Sequence, residues 1–171
     1  IMLAVFVGGM IGLLNGFLVI TMDVPSIIAT LGTMYAVSGI AWVITGGHSI
    51  HLGLGRNFTW LGRASVGAIP VSIIIAFFIF ALFYFIQHKT LLGKYSYAIG
   101  GNKRTSLLSG INVSGVGILL YVLVGLLSAF SGVLTASRLG VGSASIGSGF
   151  EFEVVVAVVL GGTSLHGGEG S

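Results

Sequence analysis

Four long stretches of this sequence carry no charged side chain, and they limit the possible folds more than any other feature. They cover residues 1–20, 24–45, 69–86 and 115–137. Each is close to the roughly 20 residues that a helix needs to cross a hydrocarbon layer about 30 Å thick. Backbone groups in lipid must be satisfied within the segment, so such stretches are expected to be helical. The sequence therefore predicts an all-α, polytopic transmembrane helical bundle.

The composition agrees with a chain that resides in lipid. Only 6% of the 171 residues are charged and 55% are hydrophobic, whereas soluble domains carry about 25% charged residues. There is no cysteine, which excludes a disulfide framework and a cysteine-ligated metal site. The net charge of +3 comes from loop residues that suit membrane lipid or an acidic partner, not nucleic acid. The chain opens inside an apolar run, and we expect further spans beyond both of its ends.

Small residues recur at helical spacing in two of the spans. One stripe comprises Ala29, Gly32, Thr33 and Ala36, and the other comprises Gly125, Ala129, Gly132 and Ala136. Small side chains let membrane helices approach closely. Both stripes are therefore predicted to be packing faces.

Three polar residues in the first two spans have two interpretations each. Asn15 could bond a neighbouring helix or line a pathway for solute. Thr30 and Thr33 could bond a hydroxylated solute, although threonines in membrane helices often bond their own backbone. Both interpretations stay open from the sequence.

The polar, basic segment 87–114 interrupts the apolar spans. Within it, Asn102 can cap a helix and Gly110 can end one, which leaves about two turns over residues 103–109. Lys103 and Arg104 occupy the first turn, where the helix dipole disfavours cations. Apolar side chains on this helix come from Leu107, Leu108 and Ile111. A short amphipathic helix between two spans suits docking against something outside the bilayer, and lipid headgroup contact is the alternative for its charges.

The membrane orientation of this basic segment follows from its charge. It holds Lys89, Lys94, Lys103 and Arg104, against Arg56, Arg63 and Arg138 in the rest of the chain. Because positive charge concentrates in loops retained in the cytoplasm, the segment is predicted to be cytoplasmic.

A half-length apolar segment lies near the end of the sequence. Residues 153–161 are too few to cross alone, and a glycine-rich turn follows them. Such a broken or re-entrant half-helix must be buried in protein or line a water-filled cavity, and it is a pointer to a translocation path; an ordinary loop is the alternative. The candidate path residues are Asn15, Thr30, Thr33, Phe150, Glu151, Gly161, Gly162 and Thr163.

Several kinds of chemistry are missing from the sequence. The four full spans contain no ionisable side chain of the Asp, Glu, Lys, Arg or His type, which disfavours an ion-coupled carrier. No phosphate-binding GxxxxGK[ST] motif is present, and no nucleophile, base and acid cluster along a span. We therefore predict no catalytic residues, no metal site and no enzyme activity. Uphill transport would need energy from a partner.

Four segments together resemble the membrane permease of sugar ABC importers of the ribose, xylose and arabinose type. They are PSIIATLGTM at 25–34, YAIGGN at 97–102, SGINV at 109–113 and VVLGGTS at 158–164. The resemblance runs along nearly the whole chain and implies that the segment between Tyr97 and Val113 is a cytoplasmic coupling helix that docks on an ATP-hydrolysing subunit. Gly100, Gly101, Asn102, Ser109, Gly110 and Ile111 match the family motif, and Lys103, Arg104, Leu107 and Leu108 complete the predicted coupling set. Where the family often has acidic residues and alanine, this chain has KRTS at 103–106.

The resemblance also implies the partners. They are an ATP-binding subunit, a periplasmic sugar-binding protein and a second permease copy in a homodimer or heterodimer, in the bacterial inner membrane. ATP and Mg²⁺ would be used by the partner ATPase, with no cofactor in this chain. Because family members are about twice as long, the chain resembles a central fragment of a permease. An autoinducer or nucleoside permease of the same superfamily, an ion-coupled secondary carrier and a non-transporting membrane scaffold remain alternatives.

Overall fold

A computed structural model describes residues 1–51 and 56–163 of the chain, and helices dominate it. In chain order the elements are α1 (Met2–Ile20), α2 (Ser26–Thr45), β1 (Ile50–His51), α3 (Arg56–Arg63), β2 (Ser65–Val66), β3 (Ile69–Pro70), α4 (Val71–Lys89), α5 (Leu91–Gly101), α6 (Lys103–Leu108), α7 (Val113–Leu139), β4 (Val141–Gly142) and α8 (Phe150–Leu160). The strands have two residues each and form two small antiparallel pairs.

Four of these helices are long and apolar enough to cross a membrane. They are α1, α2, α4 and α7, with 19, 20, 19 and 27 residues. Each coincides with one of the uncharged stretches, which confirms the prediction of an all-α, polytopic membrane segment. The α4 helix continues through His88 to Lys89, and the Lys89 cation in its last turn interacts favourably with the helix dipole.

The chain divides into two compact units. The first unit comprises residues 1–79 and 118–146, and the second comprises residues 80–117 and 147–171, described here up to residue 163. The two units are considered separately below.

The first unit is held together by a glycine-lined contact between α1 and α7. Gly8, Gly9, Gly12 and Gly16 are the buried residues of α1. A Cβ atom at Gly12 would lie 3.0 Å from the Val122 Cα and even closer to the Tyr121 carbonyl oxygen. The two backbones are therefore in direct contact, as small residues permit in membrane helices. This glycine row on α1 is a packing face that the sequence analysis did not identify.

The two predicted stripes of small residues differ in their packing. On α7, a Cβ atom at Gly125 would lie 2.9 Å from the Gly12 Cα and even closer to the Gly8 carbonyl oxygen. The Ala129 Cβ also lies directly against Gly8. Further along, a Cβ atom at Gly132 would meet no atom within 4 Å, and the same holds for Gly32 on α2. The first half of the α7 stripe thus packs against α1. Gly132 on α7 and Gly32 on α2 have no close neighbour among the described residues.

Two connections between the spans contain regular structure. The segment 46–68 includes strand β1, the eight-residue helix α3 and strand β2. After α7, strand β4 pairs with β1 so that Ile50 opposes Gly142. Contacts between distant segments fix these short elements, and composition does not report such contacts.

In the second unit, the segment 87–114 was predicted to hold one short helix and holds two. The α5 helix occupies Leu91–Gly101 and follows α4 after Thr90 alone. A Cβ atom at Gly93 would collide with the Gln87 backbone, so glycine permits this tight junction. The prediction missed α5 because its glycines and polar residues resemble those of a loop.

The half-length helix α8 begins three residues earlier than predicted, at Phe150. Gly149, directly before it, has a left-handed backbone with φ of +94°. The Gly149 N–H donates to the Glu151 carboxylate at 3.0 Å, and both acidic residues of α8 lie in its first turn. Negative charge there is favoured by the helix dipole, which explains the early start.

Candidate functional site

Both ends of α6 are closed by hydrogen bonds made within its own segment. The Asn102 side-chain oxygen accepts the Thr105 N–H at 3.0 Å, as expected of an N-cap residue. At the other end, the Gly110 N–H donates to the Leu107 carbonyl at 3.0 Å and the Ile111 N–H donates to the Ser106 carbonyl at 3.1 Å.

That pair of bonds is the Schellman arrangement, which places a left-handed residue just after the helix. Gly110 fills this position with φ of +79°, and Ser109 is the C-cap residue. The N-cap at Asn102 and the helix end at Gly110 are thus confirmed. The helix itself ends at Leu108, one residue before the predicted end.

The surface of α6 is largely uncovered. Ser106 is its one buried residue, whereas Leu107 is 54% and Leu108 84% exposed. Lys103 and Arg104 are exposed as well, and the first turn holds no acidic residue. The helix therefore presents two leucines next to two cations with no partner for them among the described residues.

The residues that flank α6 are held by local bonds. Gly100 and Gly101 complete α5 and are exposed. After α6, the Asn112 side chain accepts the Gly115 N–H at 2.9 Å and so caps the start of α7. This second cap was not identified in the sequence, although an Asn three residues ahead of an apolar helix is its usual signal.

The polar residues of the first two spans bond one another or their own backbone. The Thr33 hydroxyl donates to the Asn15 side-chain oxygen at 2.7 Å and joins α2 to α1. The Thr30 hydroxyl donates to the Ser26 carbonyl at 2.8 Å. Both arrangements are the structural interpretations considered above, and a role in solute passage stays a prediction.

The remaining candidate path residues belong to the second unit. Phe150 and Glu151 open α8, and Gly161, Gly162 and Thr163 follow it. Gly162 has φ of +87°, and the Thr163 N–H donates back to the Val158 carbonyl at 3.3 Å. The turn after α8 is thus a closed helix end, exposed at all three residues. Ser164, the last residue of the fourth resembling segment, lies outside the described residues.

A third cluster, in the first unit, fastens α3 to the end of α7. The Gly62 N–H donates to the Ser137 hydroxyl oxygen at 2.9 Å, and Ser137 is fully buried. The Arg63 guanidinium donates to the carbonyls of Arg138 and Leu139 at 2.9 and 3.1 Å. Arg63 thereby bonds two of the last four carbonyls of a helix, which have no partner within it, with a cation at the favourable end of the dipole.

This cluster could not be predicted from the sequence, because about 75 residues separate its two sides. Arg138 lies one residue before the end of α7. Its side chain is exposed.

Comparison with known proteins shows the family. The model of the family described as "Branched-chain amino acid transport system / permease component" matches residues 1–168. The chain is 45% identical over 149 residues to "Probable ABC transporter permease protein YphD" of Escherichia coli K12, which covers 87% of this chain and 45% of that protein.

Two relatives carry the name ribose import permease protein RbsC. The protein from Bacillus subtilis is 42% identical over 91% of this chain and 49% of its own length. The protein from Escherichia coli K12 is 38% identical over 98% of this chain and 53% of its own length. The chain thus spans about half the length of the curated relatives it matches. No solved structure matches it.

The family match covers almost the whole chain, and four of its helices can span a bilayer. The chain therefore belongs to the branched-chain amino acid transport system / permease component family, as a multi-pass segment of a permease of the bacterial inner membrane.

Proposed function

We propose that this chain is part of the permease subunit of an ATP-driven importer of monosaccharides of the ribose type. In this proposal the permease forms the path through the membrane, and α6 receives force from a separate ATPase subunit. A periplasmic sugar-binding protein delivers the solute, and a second permease copy completes the path. ATP and Mg²⁺ are used by the ATPase partner.

The observation that carries the proposal is the exposed, self-contained α6 helix. Two leucines and two cations stand uncovered on a helix whose ends are closed by its own bonds. Leucines in water lose the stabilisation of about 25 cal/mol per Å² that burial provides, so a partner surface is the favoured environment for them. The relatives named as ribose import permeases supply the solute class.

The spans themselves support an external energy source. In the described residues, α1 and α2 contain no charged side chain, and the nearest acid, Asp23, lies in the turn between them. Ion-coupled carriers use ionisable groups within their spans. The autoinducer and nucleoside solutes of related permeases are the alternatives that an uptake assay separates from ribose.

The test is capture of the ATPase by the full-length permease. Leu108→Glu places a charge on the most exposed apolar residue of α6 and is expected to abolish co-purification with the proposed ATPase subunit. Uptake of labelled ribose into cells should fall in parallel, while the amount of permease in the membrane is unchanged.

Leu91→Glu is the matched control, because Leu91 is 62% exposed and lies on α5 outside residues 100–111. Equal capture by wild type and Leu108→Glu would contradict docking through α6. Uptake that a protonophore abolishes while ATP depletion does not would instead assign the protein to ion-coupled carriers.

A further inference from the structure

The cluster that fastens α3 to the end of α7 borders a cavity that is lined by two arginines. The cavity has a volume of about 300 Å³ and is lined by Gly62, Arg63, Pro70, Ser72, Ile73 and Arg138. Two arginines and one serine therefore line a cavity whose lining includes no acidic residue. Within residues 1–51 and 56–163, no carboxylate pairs with either arginine.

The two arginines have different bonding. Arg63 is held in place by its bonds to the carbonyls of Arg138 and Leu139. The Arg138 side chain makes no hydrogen bond or ion pair with a described residue. A fixed cation and an available one at the same cavity favour an anion with several oxygens, because guanidinium groups bond phosphate and carboxylate oxygens in pairs.

The position of the cavity narrows the class of anion. Its residues lie at the end of α7 and the start of α4, both of which can span a membrane. Spanning helices end at the headgroup level of a bilayer, where tryptophan is enriched, and Trp60 of α3 is 60% exposed. The apolar residues Pro70 and Ile73 complete the lining. The lining thus combines cationic and apolar residues, which suits a lipid headgroup together with its first acyl carbons.

We propose that this cavity binds a phosphate group, and that the source of the phosphate is the headgroup of an anionic lipid such as phosphatidylglycerol. Arg63 and Arg138 bond the phosphate oxygens, Ser72 donates a further hydrogen bond, and Ile73 contacts the acyl chain. The bound lipid then joins α3 and α4 to the end of α7. The proposal does not depend on the solute or on the ATPase partner.

The test uses the full-length permease in nanodiscs of phosphatidylcholine with or without phosphatidylglycerol. Retention of phosphatidylglycerol after detergent extraction is counted by native mass spectrometry. Arg138→Gln is the informative variant, because its side chain makes no bond that holds the fold. We expect its apparent affinity for phosphatidylglycerol to fall about fivefold, the factor equivalent to about 1 kcal/mol per basic residue near an anionic surface.

Lys89→Gln is the matched control, since it removes an exposed cation from the last turn of α4 outside the cavity. An equal loss of lipid in Arg138→Gln and Lys89→Gln would overturn the proposal, because general surface charge would then account for binding.

Free phosphate is distinguished by a second arm of the experiment. Inorganic phosphate is titrated into nanodiscs of pure phosphatidylcholine, and the thermal stability of the permease is measured. Stabilisation at millimolar phosphate that Arg138→Gln removes would support the anion site but assign it to a soluble ligand. If Arg138→Gln changed neither the retention of lipid nor the response to phosphate, the proposed site would be refuted. An acidic protein partner would then be the remaining candidate to bind the two arginines.

Discussion

Gly8 is the position where one added methyl group tests the packing of the first unit most directly. A Cβ atom there would lie 2.6 Å from the Gly125 carbonyl oxygen and closer still to the Ala129 Cβ, whereas ordinary contacts begin at 3.4 Å. The two helices would have to separate by about 0.8 Å to relieve the contact with the oxygen, and by more to relieve the contact with the Ala129 Cβ. Because the obstacles are a Cβ atom and a backbone oxygen, no change of side-chain rotamer relieves them.

Two opposing terms set the stability of Gly8→Ala. Overpacking of a close contact costs about 1–3 kcal/mol, whereas alanine favours a helix interior over glycine by about 1 kcal/mol. Gly39→Ala is the matched control, since a Cβ atom at Gly39 of α2 would meet no atom within 4 Å. The helix-propensity term is common to both variants, so their difference isolates the clash.

We therefore expect Gly8→Ala to be less stable than Gly39→Ala by about 1–3 kcal/mol. The assay is unfolding of the full-length permease in mixed micelles with increasing dodecyl sulfate, followed by circular dichroism. Adding Ala129→Gly to the Gly8→Ala variant should restore part of the loss, because it removes the nearest atom. Equal stability of Gly8→Ala and Gly39→Ala would refute the close contact between α1 and α7.

Two further predictions concern α6 and the polar contact between α1 and α2. Gly110→Val should destabilise the end of α6 by about 1–2 kcal/mol, because the φ of Gly110 is +79°, and amide hydrogen exchange of α6 should accelerate. Gly101→Val is the control, because a Cβ atom at Gly101 would meet no atom within 4 Å. Equal exchange rates in the two variants would contradict the left-handed turn at Gly110. Thr33→Val removes the bond to Asn15 and should cost about 0.6 kcal/mol in dodecyl sulfate unfolding. Thr30→Val is its control, because the Thr30 hydroxyl donates to carbonyls of its own helix. An equal cost would contradict the bond across the helices.

The sequence predicts this structure well where the determinants are local. The Asn102 cap and the Gly110 end of α6 depend on residues within five positions of each other, so they can be recognised from residue type and spacing. The four spans are equally accessible, since hydrophobic length alone specifies them. By contrast, Arg63 reaches the end of α7 across about 75 residues, and no pattern within either segment signals that pairing.

The small-residue stripes show a second limit of sequence reasoning. Spacing predicts that a helix can be approached closely, but it does not say by which neighbour or over what length. Gly8 and Gly12 follow the same spacing rule as Gly125 and Ala129, and these two rows pack against each other. Gly32 has the same spacing and no close neighbour in the described residues. Helix geometry thus determines which face carries the small residues, whereas the tertiary fold determines which neighbouring helix packs against that face.

The closure of α6 at both ends bears on how the proposed coupling would operate. Each end bond joins residues within the segment from Asn102 to Ile111, so the helix does not need a partner to keep its shape. A preformed helix of this kind can move as a rigid body when the ATPase moves. A helix that folded only on docking would first use part of the binding free energy to order its own backbone. Loss of the cap in Asn102→Ala, which costs about 1 kcal/mol, should therefore reduce ribose uptake more than it reduces capture of the ATPase, because Leu107 and Leu108 remain available for binding. If Asn102→Ala reduced capture of the ATPase as much as it reduced uptake, α6 would serve only to bind the ATPase. The proposal that a rigid α6 transmits motion would then be wrong.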